Sequence, residues 1–198
     1  MSHKHLFEDV LKTRLVLASR SPRRAEILSA VGWPFEMVAA NIDESRFVSE
    51  AAVPYVRRLA QTKAEAVANN LTSGLVLGAD TVVLIDEKIL GQPKDAEDAR
   101  RMLKLLSGRW HEVLTAVALV RAEEGQVVAG HEKTRVRFAE MSAAEIDWYV
   151  ATREPMDKAG AYAVQGRAAL FIEEIQGDYF NIVGLPVRLV YKLARTMQ

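Results

Sequence analysis

The feature that most constrains this chain is a junction close to its start. Leu15-Val16-Leu17-Ala18 is a short apolar run that leads into Ser19-Arg20-Ser21-Pro22-Arg23-Arg24, and an apolar-periodic segment follows. The run reads as a buried strand feeding a helix whose cap is Ser21 and whose first position is Pro22. A helix N-terminus offers unbonded backbone N–H groups and the positive end of the dipole, which suits an anion. Arg23 and Arg24 in the first turn run against that dipole, so their presence points to a strongly negative ligand such as phosphate. Two solvated arginines on a surface helix are the alternative.

Strands and helices continue to alternate. Ser21 to Val31 reads as a helix with Ile27, Leu28 and Val31 on one face and Gly32 as its stop. Phe35 to Ala39 is a short strand, and Pro54 to Asn69 carries Val56, Leu59, Ala60, Ala64 and Val67 at helical spacing. Leu75 to Ile85 is a buried strand interrupted by Asp80, with a hairpin tip at Asp86-Glu87-Lys88. Asp95 caps the next helix, and strands are expected over Glu112 to Val120 and Gln126 to Phe138. Ser142-Ala143-Ala144-Glu145 is a capping box with Ile146, Tyr149 and Val150 inward. A strand over Ala168 to Ile175 and a last helix from Pro186, faced by Leu189, Val190 and Leu193, complete the pattern. The class is α/β with a mixed sheet and flanking helices. No repeat or interdomain linker interrupts it, so residues 1–198 read as one domain with 1–13 as an N-terminal extension.

Composition excludes several functions. Lys plus Arg and Asp plus Glu number 26 each, so no basic field recruits nucleic acid and any anion must be held by a local cluster. The absence of cysteine removes disulfides and thiolate chemistry, and is compatible with a cytoplasmic location. No signal peptide is read in Met1 to Thr13, and no apolar run approaches a membrane span. His3 and His5 read as part of a frayed terminus rather than a metal pair.

Polar residues where the pattern wants apolar ones carry the chemistry. Asp80 sits in a strand suited to burial and must be paired, hydrogen-bonded or metal-bound, unless it lies at a solvated strand end. Lys63 falls on the apolar stripe of its helix. Spacing alone has it snorkel outward; turned inward, it would meet a phosphate or Asp80. Asp43-Glu44 follows a strand in a loop, a common place for metal ligands, although alone it reads as an ordinary acidic loop. In Asp157-Lys158-Ala159-Gly160-Ala161-Tyr162-Ala163-Val164-Gln165-Gly166 the glycines permit close approach to a ligand, and the Gln165 amide suits a nucleobase edge. His111 has no paired nucleophile and reads as structural.

Taken in order, these blocks resemble the Maf family of nucleoside triphosphate pyrophosphatases from Leu15 to about Leu193. The resemblance is carried by Leu17 to Arg24, Asp43-Glu44, Leu59-Ala60-Gln61-Thr62-Lys63-Ala64, Gly78-Ala79-Asp80-Thr81 and Ser107-Gly108-Arg109-Trp110-His111. Asp157 to Tyr162 and Val183-Gly184-Leu185-Pro186 complete it. It implies two lobes around a deep cleft, a fold related to the inosine triphosphate pyrophosphatases, and a homodimer. It also implies hydrolysis of a nucleotide to its monophosphate and pyrophosphate, in the service of nucleotide-pool house-cleaning. Asp80 matches the family's proton acceptor, Glu44 its acidic metal-site residue, and Arg23, Arg24 and Lys63 its phosphate-binding cations, with Ser21 beside them as a further phosphate-binding candidate. Arg23, Thr81 and Gln165 match the branch acting on dTTP and UTP, with modified pyrimidine nucleotides as further substrates. Gly91-Gln92-Pro93 departs from the Gly-Lys-Pro of many members, and Lys94 follows one residue later.

The chemistry fits those residues. Mg²⁺ or Mn²⁺ on Glu44 and Asp80 would neutralise the triphosphate, and Asp80 would accept the proton of the attacking water. The arginines and Lys63 would hold the phosphates, with Gln165 reading the base. A second reading is a nucleotide-sensing regulator of cell division or septum formation with little turnover.

Overall fold

The computed structural model describes residues 14–197, so the His3 and His5 reading lies outside it. Strand β1 (Leu15–Leu17) is buried along its whole length and passes through Ser21 into helix α1 (Pro22–Ala30). β2 (Phe35–Met37) follows, then α2 (Ala52–Ala68) and β3 (Leu75–Ile85). β1 pairs in parallel with β2, Leu15 opposite Phe35, and with β3, Leu15 opposite Leu75. Parallel neighbours need a crossover, which α1 and α2 supply.

β4 (Lys88–Leu90) runs back antiparallel along the end of β3 through Asp86 and Glu87, both at positive φ. α3 (Ala96–Leu106) starts at Asp95, whose carboxylate accepts the Asp98 N–H at 2.8 Å. β5 (Trp110–Arg121), β6 (Val127–Phe138) and α4 (Ala143–Ala151) come next. The capping box opens α4 as expected, and Ile146, Tyr149 and Val150 are buried. Three 3₁₀ turns, Glu154–Asp157, Ala159–Ala161 and Arg167–Phe171, lead to β7 (Ile172–Gln176), which pairs antiparallel with β6. α5 (Tyr179–Val183) and α6 (Val187–Arg195) end the described chain. The strands form one sheet in the order β2-β1-β3-β5-β6-β7, with β4 beside β3. The α/β class with a mixed sheet and flanking helices is the one the sequence implied.

Several elements differ from expectation: β2 ends two residues early, at Met37, and α2 and β5 each start two residues early, at Ala52 and Trp110. The strand expected over Ala168 to Ile175 begins only at Ile172. Ala168 and Phe171 are both buried, and a spacing of three puts them on one side of a 3₁₀ turn rather than alternating as on a strand. In α6 the fully buried residues are Val190 and Ala194, while Leu189 and Leu193 are half-buried. Val31 is exposed because α1 stops at Ala30, leaving Val31 as its C-cap.

The described residues group into two compact units. One holds the chain up to Asp80, Thr115–Glu132 and the segment from Gly184 on; the other holds Thr81–Leu114 and Lys133–Val183. In the first, Leu15, Leu17, Leu28, Leu59 and Leu77 are buried, each contributing about 1.5–3 kcal/mol over leaving it in water. In the second, Leu103, Leu106, Phe138, Tyr149 and Phe171 belong to one apolar cluster.

One contact in the first unit sets the position of the site. A Cβ on Gly78 would lie 2.1 Å from the Ala60 carbonyl oxygen and 2.8 Å from the Ala64 nitrogen. The backbone of α2 therefore rests directly on β3 at a point where only glycine fits. Lys63 lies within that turn of α2, and Asp80 is two residues along β3.

Candidate active site

Lys63 is buried in the apolar stripe Val56, Leu59, Ala60, Ala64, Val67 of α2. Its Nζ lies 2.8 Å from Asp80 Oδ1 and 3.0 Å from Glu44 Oε1. The outward, snorkelling direction that spacing suggested is thus not adopted. Close packing of α2 on β3 leaves the side chain facing a carboxylate, and pairing offsets the cost of burying both charges. Asp80 is buried, as its apolar neighbours required, whereas Glu44 reaches the cluster from an exposed loop.

The electrostatics follow from burial. Loss of water pushes the Asp80 carboxyl above its ordinary range and Glu44 adds to that rise, while the charge and hydrogen bond of Lys63 and the nearby Arg24 oppose it. A carboxylate raised in this way is a stronger base than a solvated aspartate. Burial likewise lowers the Arg24 guanidinium and neighbouring Arg23 adds to this; Asp80 and Glu44 work the other way. Arg24 is therefore within electrostatic reach of both carboxylates.

The helix start is built by Ser19, a residue the sequence pattern does not single out. Ser21 occupies the N-cap position, but its hydroxyl makes no capping bond. Ser19 Oγ instead accepts the Ser21 N–H and Arg24 Nη1, each at 3.1 Å. Arg24 Nε donates to the Gly184 carbonyl at 2.8 Å. The signal for Ser19 was only a serine two residues before the cap, the spacing at which a hydroxyl can bond a backbone amide. Arg23 lies half-buried in the same first turn. A cavity of about 310 Å³ opens beside this start, lined among others by Ala18, Ser19, Arg20, Asn41, Glu44 and Lys63.

Thr81 and Gln165 belong to the second unit. Thr81 is half-buried, and Gln165 is exposed in a turn closed by the Gly166 N–H on the Ala163 carbonyl at 3.0 Å. The Tyr149 hydroxyl accepts the Ala163 N–H at 3.2 Å and donates to Glu154 Oε1 at 2.9 Å, and Glu154 Oε1 also accepts the Arg167 N–H at 2.9 Å. Gln92 is exposed and its amide donates to the Asp157 carbonyl at 3.3 Å. Lys94, also exposed, donates its backbone N–H to Asp98. His111 is buried with Nε2 2.9 Å from the Tyr162 hydroxyl and edge-on to Phe138 and Tyr162, a structural placement.

Among the described residues no three His, Cys, Asp or Glu side chains form a metal-holding group. Glu44 and Asp80 are a two-carboxylate set converging on one cation, Lys63. That donor chemistry fits Mg²⁺, which is commonly held by one or two carboxylates together with substrate phosphates.

Comparison with known proteins agrees with this architecture at two levels. At the level of fold, the solved structure of the Staphylococcus aureus Ham1 protein matches with a TM-score of 0.54, covering 93% of this chain and 100% of that one at 12% identity. The chain is thus an α/β protein with the Ham1 fold. At the level of sequence, the family model described as Maf-like protein matches residues 14–197. A relative from Symbiobacterium thermophilum is 53% identical over 88% of this chain and 89% of its own, and one from Bacillus cytotoxicus is 49% identical over 91% and 94%. Both relatives bear the name dTTP/UTP pyrophosphatase. The chain belongs to the Maf-like family.

Proposed function

We propose that this protein is a nucleoside triphosphate pyrophosphatase that hydrolyses dTTP and UTP to the monophosphate and pyrophosphate, clearing these and modified pyrimidine nucleotides from the pool. The observation that carries the reading is Lys63 held between Asp80 and Glu44 in the first unit, which also holds a helix start bearing Arg23 and Arg24. The names of the relatives favour hydrolysis over a nucleotide-sensing regulator of cell division.

In this mechanism water attacks the α-phosphorus, a P–O bond forms, and the bond to the bridging oxygen breaks so that pyrophosphate leaves. Asp80 accepts the proton of the attacking water, and the burial that raises its pKa makes it a stronger base than a solvated aspartate. Arg23, Arg24 and Lys63 hold the phosphates and stabilise the charge that builds on the leaving pyrophosphate. Ser19 fixes the Arg24 guanidinium and the first turn of α1. A divalent cation, Mg²⁺ or Mn²⁺, held by Glu44 and Asp80 would supply charge neutralisation on the triphosphate when bound. The base-reading part of the proposal falls to Arg23, Thr81 and Gln165, on the family resemblance. It includes a homodimer acting in the cytoplasm.

The test is pyrophosphate release from a panel of nucleoside triphosphates with Mg²⁺ or Mn²⁺. Preferential release from dTTP and UTP supports the reading, and binding without release overturns it.

A further inference from the structure

The loop that carries Glu44 is fastened to α2 by two side chains the chemistry above does not use. The Tyr55 hydroxyl donates to the Glu44 carbonyl at 2.9 Å, and Arg58 Nη2 donates to the Ser45 carbonyl at 3.0 Å. Arg58 is itself fixed. Its Nε and Nη2 fork onto the Glu50 carboxylate at 2.8 and 2.7 Å, and its guanidinium carbon lies 4.0 Å from the centre of the Phe47 ring. Glu50 in turn accepts the Phe47 N–H at 3.1 Å, and the Glu50 N–H returns to the Phe47 carbonyl at 3.1 Å.

Apolar burial does little to hold this loop, since Phe47 is 62% exposed and Val48 is 99% exposed. Segments with few buried contacts open locally at small free-energy cost, so polar bonds to a rigid helix determine where such a loop sits. The helix here is the one that carries Lys63. Tyr55 and Arg58 thus fix the backbone of Glu44 on the same element that presents its ion-pair partner. The Tyr55 hydroxyl also lies within the field of the site: burial raises its pKa first, and Asp80 and Glu44 raise it further.

From this geometry we infer that Tyr55 and Arg58 are positioning residues for the hydrolysis, holding the Glu44 carboxylate at its contact with Lys63. The inference rests on the reading of Glu44 as part of the pyrophosphatase site. Backbone displacement of about 1 Å at a reacting site is enough to cost one to two orders of magnitude in rate, so losing one of several braces costs less.

Two variants test it. Tyr55→Phe removes only the hydroxyl, and Arg58→Lys keeps the charge but loses the fork. Each is measured alone and with Glu44→Gln, by amide hydrogen exchange over residues 43–50 and by pyrophosphate release from dTTP with Mg²⁺. The expected result is faster exchange over that loop and a loss of about three- to tenfold in kcat/KM in each single variant. In the Glu44→Gln background the same changes cost less than about twofold more, because they act through Glu44. Unchanged exchange in both variants overturns the inference, as does a full, additive loss on top of Glu44→Gln. Should Arg58→Lys fail to fold, Tyr55→Phe decides alone. If the wild-type protein releases no pyrophosphate, the pyrophosphatase reading falls, while loop exchange still decides whether Tyr55 and Arg58 brace Glu44.

Discussion

Lys63 Nζ sits 2.8 Å from Asp80 Oδ1 with both side chains about nine-tenths buried, so α2 and β3 meet through an ion pair in an otherwise apolar contact. The same ammonium reaches Glu44 from the loop after β2. One cation therefore gathers two carboxylates delivered by two different segments.

Removing that cation isolates a buried charge. Lys63→Met is expected to lower stability by about 3 kcal/mol at neutral pH, measured by urea denaturation. Because Lys63 holds the Asp80 pKa down against burial, the variant's deficit shrinks as the pH falls and Asp80 takes up its proton. Adding Asp80→Asn to Lys63→Met recovers part of the loss at neutral pH. A deficit that grows on acidification contradicts this account.

Gly78→Ala tests the packing beneath the pair. With the Ala60 carbonyl 2.1 Å from the added carbon, α2 must lift from β3, which costs roughly 2 kcal/mol or more. Since Lys63 and Asp80 lie on the two elements being separated, pyrophosphate release falls along with the melting temperature. A stable, fully active alanine variant would remove this contact from the account.

His111 gives a pH signature in the second unit. Burial lowers its pKa from the ordinary 6.5 to about 4, so the folded protein keeps the ring neutral while the unfolded chain protonates it. The unfolded state binds more protons between those values, and stability contributed by the neutral ring is lost as the pH falls from about 6.5 towards 4. The upper bound is on the order of 3 kcal/mol. Denaturation midpoints of the wild type and His111→Gln, compared at pH 7 and pH 5, should converge at the lower pH.

Gln165 is exposed on a turn flanked by bonds to Tyr149 and Glu154, and the proposed function gives its amide the base edge to read. Gln165→Glu removes the amide donor and adds a charge, so discrimination between dTTP and GTP should change by about tenfold while the melting temperature stays put. An unaltered ratio of kcat/KM values takes Gln165 out of base recognition.

Much of this was legible in the residues, and the exceptions have physical causes. β3 was readable to the residue because the positions on both sides of Asp80 are mostly apolar and rich in valine, leucine and isoleucine. Asp95 and the Ser142–Glu145 capping box carry their own hydrogen-bond logic within four residues. The inward turn of Lys63 was not readable from helix spacing, because spacing does not say what the stripe faces; the necessary fact was the fit of Gly78 against Ala60. Ser19 was hidden behind the better-known N-cap position that Ser21 fills without bonding. Tyr55 and Arg58 gave no signal, since their partners are backbone carbonyls of a loop whose path the sequence does not dictate.

The most direct test of the central claim is pyrophosphate release from dTTP and UTP, measured for the wild type and for Asp80→Asn at matched folding by circular dichroism. The wild type is expected to release pyrophosphate, and the variant to lose about 10²- to 10⁴-fold in kcat, the range a general base contributes. Equal turnover by a folded Asp80→Asn protein would contradict the claim.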